Sequence, residues 1–396
     1  MTTTGQNFTN LKVIGSVTIN PLKLSASDLG VTGVTKVYDG NNIITGLNIN
    51  VSRVLSQILA NDVANVSGSG TFSDANVATN KSATVNLSIT GSDKDNYVLT
   101  SNQLVSNIGT ITQLVSVTYV GASGGNWSNA NNWAGGAIPT YSREGSVNNV
   151  ATVIIPIGSN VKFDYPNLIN LTSVNSRTDI IPTSAITNNG TLSFEGSADF
   201  TLSNLVSGTG QIDHSGGGNL TLSNANTYSG GTNIHGSHLT LSNANALGTG
   251  TLTSNGGTLS VANNVTLPSL TVNGAINLDT NILTTGTQTY NGAVTIDGGS
   301  VLNPLQIKTQ NSDIVFNGTI NGTSSSFTNQ TSLKVDAGTG NVTFNDALGW
   351  NNWLNVPYSY NLLVGSSSLN QLEVDANTIM INANVTTFDK QSYKNQ

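Results

Sequence analysis

The chain has 396 residues, a formal net charge of −7, 8% charged residues, 42 glycines and no cysteine. Its 13 Lys and Arg are scattered, which excludes the clustered basic footprint needed to grip a nucleic-acid backbone. No run approaches the roughly 18 apolar residues of a membrane span, so no membrane insertion by this segment is expected. The missing cysteines fit a protein that crosses a bacterial envelope unfolded.

Low charge with modest hydrophobicity can signal disorder. Here the apolar residues alternate instead, as in Thr191-Leu192-Ser193-Phe194 and Ser269-Leu270-Thr271-Val272. Alternation is the signature of half-buried strands, and the fold class expected is all-β.

Residues 1–13 read as a partial repeat. Thr284-Thr285-Gly286-Thr287-Gln288-Thr289-Tyr290-Asn291 has degenerate copies in Thr3–Asn10 and Thr386–Asn395. An open repeat end exposes unpaired strand edges, so the expectation is a window cut from a longer polypeptide, monomeric as it stands.

Residues 14–116 read as one compact β module. Ile14-Gly15-Ser16-Val17-Thr18-Ile19 is echoed by Ile108-Gly109-Thr110-Ile111-Thr112, and short strands with turn residues lie between. Ser52–Ala64 is the only stretch suited to a helical turn or two. Asp39-Gly40 suits a tight turn with positive φ. Lys36-Val37-Tyr38-Asp39-Gly40, Asp95-Asn96-Tyr97-Val98-Leu99 and the closing Ile108–Thr112 segment resemble the YDG-type domains of filamentous haemagglutinin-like adhesins of Gram-negative bacteria. The resemblance implies a surface or secreted adhesin.

Residues 117–396 read as β-solenoid repeats. Leu220-Thr221-Leu222-Ser223-Asn224-Ala225-Asn226 recurs letter for letter 19 residues further on, at 239–245. A unit of that length is too short for a helical pair and fits one rung of a right-handed parallel β-solenoid, a β-helix. Apolar residues at alternate positions fill its interior, and asparagines at repeated turns can stack into hydrogen-bonded ladders. Asn126–Trp133 with Ala137-Ile138-Pro139-Thr140 resembles the tryptophan-marked opening of autotransporter passengers, and Leu222–Thr232 resembles their passenger-associated transport repeat. Val335–Phe344 is similar to further adhesin repeats. Trp127 and Trp133 either cap the stack or offer ring faces to sugars.

Catalytic chemistry is thin. A polysaccharide lyase on this scaffold would cluster carboxylates, but Asp213, Asp279 and Asp297 stand apart, and Arg53, Arg143 and Arg177 are the only arginines. The glycine-rich fragments at 213–218 and 297–299 are too incomplete for calcium repeats. His214, His235 and His238 are expected as exposed turn and strand residues rather than metal ligands. Spacing alone leaves a Ser-His-Asp triad open, with no Gly-x-Ser-x-Gly elbow to support it. Asn-x-Ser/Thr triplets such as Asn86-Leu87-Ser88, Asn189-Gly190-Thr191 and Asn341-Val342-Thr343 are offered as glycan acceptors only by composition. No catalytic residue, cofactor or metal is assigned.

The aromatic insertion at 348–360 breaks the repeat texture, and Trp350, Trp353, Tyr358 and Tyr360 are its candidate ligand-binding residues. They either stack on sugar rings or plug the solenoid side. The functional expectation is a segment of a large adhesin or biofilm scaffold outside a Gram-negative cell, meeting glycans or surface proteins through many weak contacts. A glycan-active enzyme and a pure spacer are the alternatives.

Overall fold

The computed structural model describes residues 20–25, 30–31, 34–45, 47, 49–50, 55–142, 147–164, 185–300, 302–323, 331–348, 369, 371–387 and 390–395. The protein is all-β. It divides into two compact units: residues 1–36 with 42–111, and residues 37–41 with 112–396.

The first unit is built on an antiparallel sheet in which Gln103–Thr112, Ala78–Thr90, Asn65–Phe72 and Ile43–Ile44 lie side by side in that order, with Val34–Val37 at the outer edge of Gln103–Thr112. Alternation in Ala78–Thr90 turns Ala83, Val85 and Leu87 inward. Leu24, Val66, Val85, Leu87 and Tyr97 form the core. Gly109 is required there, because a Cβ would lie 2.1 Å from the Phe72 ring. The buried Lys81 ammonium is matched by Asp74 at 2.8 Å, as a buried charge must be. Turns at 55–62 carry the backbone bonds Ile58 to Leu55 and Asp62 to Leu59, where the sequence allowed a helical turn.

The second unit is a stack of parallel strands visited in cyclic order. One face is an 11-stranded parallel sheet running from Gly125–Asn126 to Thr378–Ile381. A second face has seven parallel strands from Phe200–Leu202 to Ile320–Gly322. A third begins as four strands, Leu114–Thr118 to Leu205–Ser207, and resumes as five, Ile282–Thr284 to Gln391–Asn395. The chain passes from face to face and returns about one rung, near 4.8 Å, further along. The letter-for-letter repeat is the register itself: Leu220 pairs with Leu239 and Leu222 with Leu241.

One interior column runs through the long sheet as Val161, Leu192, Ile212, Thr232, Leu252, Val272, Tyr290, Phe316 and Phe344. All are buried. Tyr290, Phe316 and Phe344 stack with ring centroids 4.9 and 5.3 Å apart and planes within 7°. The rung spacing of parallel strands therefore sets ring stacking as well as backbone pairing.

Candidate functional site

Trp127 and Trp133 are fully buried. Their rings meet edge-on at 4.7 Å, Tyr119 packs on Trp133 at 5.5 Å, and Phe163 on Trp127 at 5.6 Å. Trp133 Nε1 donates to the Trp127 carbonyl at 2.7 Å and Trp127 Nε1 to that of Pro139 at 3.2 Å. Indole N–H groups satisfied inside the protein cannot greet a sugar. Of the two readings, these tryptophans take the packing one, at the first rungs of the second unit.

The Tyr-Asp-Gly tripeptide belongs to that same unit. Tyr38 Oη donates to the Ile138 carbonyl at 2.7 Å and lies 3.2 Å from Thr140 Oγ1. Burial pushes the Tyr38 phenol above its usual pKa, so it stays a donor at physiological pH. Gly40 has φ +80°, and a Cβ would sit 2.3 Å from the Gly136 carbonyl oxygen. Positive φ and close approach both demand glycine.

The three histidines separate. His214 faces inward, a correction to the exposed placement expected for it, because its register partners are Phe194 and Ile234 on an inward column. Its ring nitrogens lie 3.1 and 2.9 Å from the carbonyls of Phe194 and Gly218. His235 Nε2 pairs with Asp213 Oδ1 at 2.7 Å on the outer surface. His238 Nε2 is 2.5 Å from Ser260 Oγ, which is itself 2.7 and 2.8 Å from the two Asp279 oxygens.

That last group brings serine, histidine and aspartate together from consecutive rungs, which a linear sequence could not reveal. Its geometry is that of a polar brace. In a catalytic relay the carboxylate holds Nδ1 and leaves Nε2 free to take the serine proton. Here Asp279 Oδ2 sits 3.6 Å from the same Nε2 and accepts the serine hydroxyl directly.

The most regular outer feature is an amide ladder. Asn291 donates Nδ2 to Asn273 Oδ1 at 2.8 Å, Asn317 to Asn291 at 2.7 Å, Asn345 to Asn317 at 2.8 Å and Asn382 to Asn345 at 2.7 Å. Every bond points the same way. Each amide has hydrogen-bonding capacity beyond its ladder bonds. The column continues upstream as Ser193, Asp213, Asn233 and Thr253.

The scarce charges gather on the resumed third face. Lys308 meets Asp336 at 2.7 Å, while Lys334 and Lys394 each meet Glu373 at 3.0 Å. Hydrogen bonds from Lys334 and Lys394 hold the Glu373 carboxyl below its usual range. Burial pushes Asp336 upward, but bonds from Lys308 and the Gly338 amide outweigh it and hold that carboxyl low as well. Register explains the network, since Lys334 pairs with Glu373 and Lys308 with Asp336 across neighbouring strands. Among the described residues no group of His, Asp and Glu is arranged to hold a metal ion, and no helix is long and apolar enough to cross a membrane.

Trp350, Trp353, Tyr358 and Tyr360 lie outside the described residues. The flanking Leu348 and Leu369 are both buried and bridge forward to Val385 and Thr387.

Fold and surface together define an all-β protein with a long stack of parallel rungs bearing a repeated polar exterior. A YDG domain matches residues 3–104. No curated protein and no solved structure matches the chain.

Proposed function

We propose that the chain is a segment of a large bacterial surface or secreted adhesin, or of a biofilm-matrix scaffold, working outside a Gram-negative cell. The observation that carries this reading is the repetition itself. One outer column of the long parallel sheet presents side-chain amides on five successive rungs, from Asn273 to Asn382. Contacts repeated at that interval add together without any single tight pocket. The YDG domain supports the reading, given its resemblance to modules of filamentous haemagglutinin-like adhesins.

The mechanism is multivalent. A rigid stack holds weak contacts in fixed spacing, so once one engages the next is already in place and its ordering cost is reduced. The column from Thr253 to Asn382 is uncharged and rich in amides, which suits glycans or polar protein surfaces. The experiment is retention of beads carrying the chain on glycan-coated or cell-derived surfaces, with free chain as competitor. Retention should rise steeply with bead loading, and free chain should compete poorly. No retention at any loading contradicts the proposal.

A further inference from the structure

The third face of the stack is open at one level. Thr249 donates its amide to the Tyr228 carbonyl on the preceding rung, while Leu267 is bonded to Leu283 and Thr285 on the following one. Among the described residues no backbone hydrogen bond joins 244–251 to 265–269. On the neighbouring face the same two rungs stay paired, Leu252 with Val272 and Thr253 with Asn273. The rungs are thus held together on one side and parted on the other.

The parting leaves a cavity of about 140 Å³. Its lining includes Leu247 and Leu270, both buried, and the exposed Thr249, Thr251 and Ser269. Those three hydroxyls make no side-chain hydrogen bond to protein among the described residues. The Thr285 hydroxyl, by contrast, donates to the Pro268 carbonyl at 3.2 Å. No charged residue lines the cavity.

An apolar floor with an uncharged rim of free hydroxyls and unladdered peptide groups selects its ligand by exclusion. A charged ligand would lose hydration and find no counter-ion. A purely apolar one would cover polar groups without pairing them. A sugar ring presents C–H groups on its faces and hydroxyls at its edge that both donate and accept, and meets both demands. We propose that the wedge between residues 244–252 and 267–271 binds one neutral pyranose unit of a glycan. The site deepens the adhesive reading, and rests on it only for the glycan's source.

The test is saturation-transfer NMR and calorimetry on the full chain with glucose, galactose, mannose and N-acetylglucosamine, and glucuronate as the charged comparison. At least one neutral sugar should receive saturation and bind with Kd on the order of 1 mM, as a single-ring contact allows. Glucuronate should not. Thr249→Val with Thr251→Val should weaken binding about tenfold, and Ser269→Phe, which fills the wedge, should abolish it. All three positions are exposed, so melting temperatures should hold, and Ile157→Ser, at an exposed turn several rungs before the wedge, should bind as the parent does. Silence from every neutral sugar, equal binding of glucuronate, or binding indifferent to both variants overturns the site. If these fail while beads are still retained, the adhesive reading stands and only its ligand site is lost.

Discussion

Asn382 donates its side-chain amide to Asn345 at 2.7 Å although 37 residues separate them, whereas Asn345 reaches Asn317 at 2.8 Å across 28. The extra residues fall between Leu348 and Leu369, yet the ladder keeps its step. An insertion on one side of a rung leaves the outer column undisturbed, because the register is fixed on the neighbouring strands, where Phe344 pairs with Ile381.

Asn345 both donates to Asn317 and accepts from Asn382. Asn345→Ala should therefore cost about 1–2 kcal/mol, two surface hydrogen bonds' worth. Asn233→Ala, on the same column with no side-chain bond among the described residues, should cost less. Urea unfolding curves of both variants make the comparison, and equal losses would show that the ladder adds nothing.

Phe316 lies between Tyr290 and Phe344 in the buried ring stack. Phe316→Ala should cost about 3–5 kcal/mol through the cavity it leaves. Phe316→Leu, which retains most of the volume, should cost clearly less. Thermal and urea melts give both values.

Tyr38→Phe should lose about 1 kcal/mol with the bond to the Ile138 carbonyl. Gly40→Ala should lose more than about 2 kcal/mol, since it combines positive φ with a Cβ 2.3 Å from the Gly136 oxygen. The reverse order of the two losses would show that the tripeptide is held by something other than this packing.

Acid should loosen the resumed third face. Glu373 and Asp336 are held below the usual carboxylate range in the folded state. Their contribution is complete above the unfolded carboxylate pKa, near 4, and is lost as pH falls through the lower folded values. Hydrogen exchange at Ser332–Asp336 and Gln371–Ala376 should rise as pH falls below about 4, and Glu373→Gln should flatten that dependence. An unchanged profile in the variant would remove the network from the account.

Much of this was legible in the letters. The 19-residue repeat is the pairing of Leu220 with Leu239, and alternation around Leu220 and Leu222 placed those side chains inside. Asparagine at recurring turns foreshadowed the ladder. The less legible features depend on which strands become neighbours. His238, Ser260 and Asp279 meet only because three rungs stack, and His214 is buried because its register follows Phe194. Tyr38 packs against residues 100 positions away, which no local pattern encodes. The open level on the third face is a missing backbone pairing, and a chain of leucines and threonines carries no mark of it.

The most direct measurement is a rung deletion. Removing residues 317–344 takes out one rung of the amide ladder, brings Asn345 into the place of Asn317 and leaves neighbouring rungs to close in register. Because stability in a stack is a sum over neighbours, the shortened chain should stay folded with a modestly lower urea midpoint. Because adhesion is shared among rungs, bead retention should fall by a fraction. A folded deletion variant whose retention vanishes would place adhesion in one segment and contradict the account; partial loss that grows with each further rung removed is the result it expects.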